Sequence, residues 1–173
     1  MKTLPEVIVS FSLALSTTFL GCHRSGYSAQ TAPPQTIPQD LMITLERTEC
    51  FGSCPDYKLT VAADGAVVFE GRRFVKREGA TENSAISREQ LKQLIAEVDR
   101  VKFLSLEDNY ECAELWSDNP TAFTSIRING KSKTIKHYYG CRGPKVPKEF
   151  TELENKIDEI VNTAKWLPDK KAQ

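Results

Sequence analysis

Cys50 and Cys54 form a Cys-x3-Cys pair around Phe51-Gly52-Ser53, with Pro55 following, in a stretch dense in turn formers. Two thiols this close can do one of two things. They can close a small disulfide that stiffens a loop, or they can cycle between dithiol and disulfide as a redox pair. Redox pairs favour Cys-x-x-Cys, with the first thiol at a helix N-terminus where its thiolate is stabilised. Here the spacing is one residue too long and the flanking segments read as strands. A structural bond is therefore expected, with thiol–disulfide exchange through Cys50 and Cys54 as the rival reading. Cys112 and Cys141 fall in two longer loops on either side of an Asn129-Gly130 hairpin signal. The entrance and exit of a hairpin lie at the same end, so these two can meet. Four cysteines allow three pairings. Position favours 50 with 54 and 112 with 141, and the sequence does not decide among the three.

Other chemistry is thinly represented. The chain has 2 histidines, His23 and His137. No Gly-x-Ser-x-Gly elbow appears, and no catalytic constellation stands out. Structural zinc sites favour pairs two to four residues apart, which Cys112 and Cys141 are not, and an oxidising compartment favours disulfides. No catalytic residue, metal or cofactor is expected. Asp118, with Asn119 and Pro120, reads as a turn whose carboxylate accepts backbone N–H groups. Arg72, Arg73, Lys76 and Arg77 cluster after a strand. The plain reading is a charged edge strand protected from pairing with other chains; the functional one is a docking surface for an anionic partner. Tyr138 and Tyr139, close to Arg142, make a second candidate surface, since aromatics with Arg are common at binding hot spots.

The fifth cysteine, Cys22, ends an apolar leader. Residues 1–21 read as an export signal: Lys2 supplies a thin positive start, and Val7 to Leu20 are apolar but diluted by Ser and Thr. The stretch is shorter and more polar than a membrane span. Its end, Phe19-Leu20-Gly21-Cys22, resembles the lipobox of bacterial lipoproteins, in which lipid is joined to the Cys and the signal is cut before it. Phe19 departs from the usual Leu at that position. His23 rather than Asp after the cysteine resembles an outer-membrane sorting signal. The expected location is a lipid anchor on Cys22 in a bacterial membrane, the outer one facing the periplasm; the alternative is a soluble periplasmic or secreted protein. Residues 23–40 hold three prolines among Ser, Thr and Gln, too little apolar surface to order the chain. They read as a linker of up to about 60 Å when stretched.

Lys plus Arg and Asp plus Glu number 23 each. The leader carries one of each sign, Lys2 and Glu6, so the balance persists after cleavage. A balanced domain lacks the basic excess of a nucleic-acid binder, and no nucleic-acid partner is expected.

The positioning elements follow from periodicity. Leu41, Ile43 and Leu45 alternate with polar neighbours, as do Tyr57, Leu59 and Val61, giving two half-buried strands. Asp64-Gly65 marks a hairpin turn, and Val67 and Phe69 continue a third strand, with Gly71 suggesting a bulge in a run reaching Lys76. Ser87 and Gln90 make a capping box. Leu91, Leu94, Ile95 and Val98 then line one helix face. Glu107 to Pro120 reads as an ordered loop. Thr121 to Ile128 and Lys131 to Tyr139 flank the Asn-Gly turn. A last helix carries Phe150, Leu153, Ile157, Ile160 and Val161, with Pro168 as its stop. The order is βββ-α-ββ-α: an α+β domain with an antiparallel sheet of about five strands, two helices on one face, and disulfide staples. The expected organisation is signal 1–21, linker 22–40 beginning at the lipidated Cys22, one domain over 41–168, and a polar tail 169–173.

Cys50-Phe51-Gly52-Ser53-Cys54-Pro55-Asp56-Tyr57, between a strand and an Asp64-Gly65 hairpin, resembles the signature of a bacterial family known only as domain of unknown function 6438. The later Asp118-Asn119-Pro120-Thr121 and the closing helix with Trp166 are also similar. The resemblance spans nearly the whole domain and implies a fold and the company of export signals, but no activity. The function expected from these features is a non-enzymatic binding or structural module of the envelope, with an envelope protein or polymer as partner. The alternatives are the redox protein and a small hydrolase or hydrolase inhibitor.

Overall fold

The computed structural model describes residues 36–110, 112–143 and 147–169. The export signal, Cys22, most of the linker and the end of the tail lie outside the described residues.

Six strands form one antiparallel sheet: β1 (Met42–Arg47), β2 (Asp56–Ala62), β3 (Ala66–Arg73), β4 (Thr81–Ala85), β6 (Thr121–Ile128) and β7 (Lys131–Tyr138). Their order across the sheet is β4-β3-β2-β1-β6-β7. A two-residue pair, β5 (Glu114–Leu115) with β8 (Cys141–Arg142), stands apart as a short ribbon. The first strand is thus central, hydrogen-bonded to β2 on one side and β6 on the other. Period-two alternation sends Ile43, Leu45, Leu59, Val61, Val67, Phe69, Ile126 and Ile135 to one face, where all are buried. Their neighbours Thr44, Lys58, Thr60, Glu70 and Ser125 face the other way.

Helices α1 (Arg88–Arg100) and α2 (Lys148–Val161) supply the other half of a single core. Ser87 caps α1 as its sequence requires: Ser87 Oγ accepts from Gln90 N at 3.2 Å, and Gln90 Oε1 accepts from Ser87 N at 2.9 Å. The Gln90 amide also donates to Ile160 O at 2.8 Å, joining the two helices. Leu91, Leu94, Ile95 and Val98 meet Phe150, Leu153, Ile157 and Ile160 in the core. Removing a Leu such as Leu153, fully buried, typically costs about 2–5 kcal/mol when truncated to Ala.

Four details differ from the sequence expectations. The sheet has a sixth strand, β4, whose residues Thr81-Glu82-Asn83-Ser84-Ala85 show no apolar alternation. It is the outer strand along Ala66–Glu70, while Arg72 and Arg73 lie past the last β3–β4 pair and Lys76 and Arg77 in the loop that follows. The run after Gly71 stops at Arg73 rather than reaching Lys76, because Phe74 takes a left-handed φ of 54°. The expected bulge is present: Tyr57 pairs with Gly71 and Asp56 with Arg73, leaving Arg72 as the extra residue. A side chain at Gly71 would meet Val75 Cγ2 at 2.7 Å and Arg77 O at 3.1 Å, so the returning loop requires glycine. Finally, α2 ends at Asn162, whose φ of 59° is left-handed, six residues before Pro168; a 3-10 turn, Thr163–Trp166, follows.

Candidate functional site

Antiparallel order gathers the ends of β1, β3 and β7 and the starts of β2, β4 and β6 at one end of the sheet. Both disulfides lie there. Cys50–Cys54 closes the β1–β2 loop, with Cα atoms 5.6 Å apart. Cys112–Cys141 joins the two long loops around the β6–β7 hairpin, with Cα atoms 5.0 Å apart. The favoured pairing is the one formed. Neither Cys50 nor Cys54 sits at a helix N-terminus; they lie between two strands.

The Cys112–Cys141 bond belongs to the β5–β8 ribbon, in which Leu115 pairs with Cys141 and Glu114 with Arg142. Trp116 N donates to Gly140 O at 2.8 Å and extends the ribbon by one bond. Gly140 is packed so tightly that a Cβ there would lie 2.0 Å from Trp116 O. The two loop systems are tied together: Phe51 N donates to Asp118 O at 3.2 Å, and Thr48 Oγ1 accepts from Thr121 N at 2.9 Å. The large apolar side chains standing exposed among the described residues are Phe51 (88 %), Leu115 (70 %) and Trp116 (56 %), and all belong to these loops. Arg142 lies over the Trp116 ring, 4.9 Å from its centroid, and Trp116 Nε1 donates to Glu114 at 3.3 Å. Tyr138 OH donates to Trp116 O at 2.7 Å. Of the residues picked out by sequence, Tyr138 and Arg142 therefore buttress this ledge; Tyr139, one position on, points the other way.

Tyr139 joins a polar cluster between the sheet and α2. The pleat explains it. Arg47 follows Ile43 and Leu45 in parity and so faces the core, as do Tyr57, Thr124 and His137. Register places Tyr57, Arg47, Ala122 and His137 in one row across four strands. Glu154 and Asp158, one turn apart on α2, face that row. Arg47 Nε donates to Asp158 at 2.9 Å and Nη1 to Tyr139 OH at 2.6 Å. Tyr57 OH donates to the other Asp158 oxygen at 2.7 Å. Glu154, wholly buried, accepts from Tyr139 OH at 2.7 Å and Thr124 Oγ1 at 3.3 Å, and lies 2.8 Å from His137 Nδ1. Burial opposes the Arg47 charge, but Asp158 and the two tyrosines outweigh it and hold the guanidinium protonated well above its ordinary range. Burial first, and then the Asp158 charge, push the Tyr57 phenol well up; burial and Glu154 do the same to Tyr139. Sequence reasoning missed this cluster, though the signal was present: Glu154 interrupts the apolar stripe of α2.

Two recesses flank the disulfides at this end. One, of about 320 Å³, is lined by Arg47, Cys54, Tyr57, Tyr139, Asn155 and Asp158, among others. The other, of about 500 Å³, lies under the ribbon against Cys112, Leu115, Asp118, His137, Tyr138 and Cys141. Ser117 Oγ donates to Asp118 at 2.8 Å, with no imidazole in that bond. Among the described residues no group of three or more His, Cys, Asp and Glu is placed to hold a metal ion, and no helix is long and apolar enough to cross a membrane.

The basic cluster is compensated within the chain. Arg72 meets Glu46 at 2.7 Å and Asp56 at 3.2 Å; Arg73 meets Glu49 at 2.7 Å; Arg77 meets Glu82 at 2.6 Å; Lys76 meets Asp169 at 3.5 Å. The bond to Glu46 raises the Arg72 pKa further.

No curated protein matches the chain. The family described as Domain of unknown function (DUF6438) matches over residues 41–161, from the first residue before β1 to the end of α2. That span takes in the sheet, both helices, both disulfides and the buried polar row, and the chain belongs to this family.

Proposed function

We propose that the chain is an exported, lipid-anchored module of the bacterial envelope that holds a protein partner at the disulfide-braced end of its sheet. The observation carrying this reading is the coincidence of Phe51, Leu115 and Trp116, all exposed, on loops locked by the two disulfides. Exposed apolar groups gathered on a rigid base mark interaction surfaces, and rigid aromatic anchors bind at low entropic cost. Two disulfides in one domain fit an oxidising, extracytoplasmic compartment. The linker supports the same picture. Its last residue, Asp40, accepts from Asn129 N at 3.0 Å and Gly130 N at 2.7 Å, at the far end of the sheet. The chain thus joins the domain at the end of the sheet opposite Phe51 and Trp116.

The test is in-cell cross-linking of the full chain, wild type against Phe51→Ser/Leu115→Ser/Trp116→Ser. A discrete cross-linked protein, lost in the variant while the fold is kept by circular dichroism, is the expected result. The same adduct in both proteins would refute the assignment of this end. Membrane fractionation of Cys22→Ser tests the anchor: it should leave the membrane fraction, and retention like wild type would sink that part.

A further inference from the structure

We infer that a second site, a recess between the β3–β4 loop and the 3-10 turn after α2, binds a phosphate group. Its residues come from two segments far apart in sequence, the β3–β4 hairpin and the turn after α2. Lys76 N donates to Trp166 O at 2.8 Å, which brings the loop after β3 onto the turn after α2. Lys76 and Arg77 thereby come to line one recess of about 160 Å³ together with Lys165, Glu82 of β4, Phe69 and Trp166. The floor is apolar: Phe69 is buried, and its ring stacks on Trp166 at 4.5 Å. Lys165 Nζ is held over the Trp166 ring at 4.0 Å and donates to Ser84 Oγ at 2.7 Å. Its position is therefore fixed before any ligand arrives.

Three cations meet two carboxylates here. Glu82 engages one nitrogen of Arg77, Nη1, and a guanidinium carries five N–H donors. Asp169 reaches Lys76 at 3.5 Å with its side chain 97 % exposed, a pair that solvent screens and an anion can displace. The remaining charge is positive, over an apolar floor that strengthens it. Two ammonium groups and a guanidinium, Lys76 and Arg77 from one loop and Lys165 from the facing turn, suit an anion with several equivalent oxygens, which is the geometry of phosphate. The recess takes the phosphate with the rest of a ligand outside it. The source is either a free phosphate compound or the headgroup of an anionic phospholipid. The site is independent of the aromatic ledge.

The test titrates inorganic phosphate into the full-length chain, followed by 31P line broadening and calorimetry. Wild type should bind saturably with a Kd of about 1 mM, and Lys76→Gln/Arg77→Gln/Lys165→Gln should weaken binding at least about ten-fold. A control, Lys131→Gln/Lys133→Gln at the opposite end of the sheet, should bind as wild type does. Absence of saturable binding to wild type, or an equal loss in the control, overturns the proposal. Lys165→Gln alone, with unchanged circular dichroism, should give a partial loss and separates the site from a folding defect; no loss in it or in the triple variant also overturns the site. Flotation of Cys22→Ser chain with phosphatidylglycerol vesicles, against phosphatidylcholine, distinguishes the sources. Flotation that needs the three cations assigns the headgroup, and phosphate binding without flotation assigns a free compound.

Discussion

Removing the Cys112–Cys141 bond should destabilise the domain more than removing Cys50–Cys54, although both lie at the surface of the same end. The first bond joins residues 29 positions apart and the second residues 4 apart. A disulfide acts chiefly by restricting the unfolded chain, so the longer loop matters more. At 25 °C a closed loop of about 30 residues is worth about 3.6 kcal/mol and one of about 5 residues about 2.1 kcal/mol. With an unfolding entropy of about 2.1 cal/mol/K per residue over about 130 residues, those values correspond to Tm losses of about 13 °C and about 8 °C. One native-state effect works against the larger figure. The hairpin inside the long loop keeps its eight registered pairs without the bond, but the ribbon outside it has only two. If the ribbon frays in the folded protein it regains entropy, and the loss falls below 3.6 kcal/mol. The assay compares Cys112→Ala/Cys141→Ala with Cys50→Ala/Cys54→Ala by thermal melts and urea unfolding, with iodide quenching of Trp116 to report fraying. A smaller loss for the 112–141 variant without increased quenching would refute the loop-closure reasoning.

Glu154→Ala strips the acceptor from Tyr139, Thr124 and His137 and should cost about 3–5 kcal/mol in urea unfolding, with Glu154→Gln losing less. Tyr57 and Tyr139 have folded pKa values raised above the ordinary 10.0. Their contribution is complete below that pH and is lost as pH rises through the folded values. Absorbance at alkaline pH should show these two phenols ionising only as the domain unfolds, and Tyr57→Phe/Tyr139→Phe should remove that late step. Asp40 is depressed below its ordinary 3.8, first by its bond from Gly130 N, against a smaller effect of desolvation. Its contribution is present above pH 3.8 and is lost as pH falls through the folded value. Asp40→Asn should therefore be less stable than wild type at pH 7, the gap closing in acid; a gap constant down to pH 2 would contradict the hairpin cap. Gly140→Ala should disorder the ribbon, read as raised quenching of Trp116, while leaving the far-ultraviolet spectrum of the sheet intact.

The elements most legible in the sequence were those whose apolar residues repeat with a period. Leu41-Ile43-Leu45 and the stripe from Phe150 to Val161 declare which face is buried, and a capping box or an Asn-Gly turn marks a boundary. Edge strand β4 had no such declaration, because it buries no large apolar side chain and is held by backbone pairing to β3. The β5–β8 ribbon was equally silent: two residues a side have no period, and only the distance between Cys112 and Cys141 hinted that their loops meet. The Arg47 and Glu154 cluster was readable in principle, since strand parity sends Arg47 inward and helix parity does the same for Glu154. Charged residues at element ends are ordinarily solvated, and what reversed that here is partnership across 111 positions between Arg47 and Asp158. The anion recess was half legible: the basic run held Lys76 and Arg77, but nothing in the sequence joined Lys165 to them. Lys76 and Lys165 share a surface only because a backbone bond joins Lys76 to Trp166.

The central place of β1 bears on how the molecule carries mechanical load. The chain enters the domain directly into this strand, which makes six registered pairs with β2 and six with β6. On the role proposed above, a pull between Leu41 and a partner held on the Leu115–Trp116 ribbon would run parallel to the strands and pass from β1 to β6 across their paired backbones. Its hydrogen bonds then resist together in shear instead of parting one by one, as they would if an edge strand were peeled. Survival under such a pull is set by the unfolding rate, and a shear-loaded central strand is an arrangement that keeps that rate low.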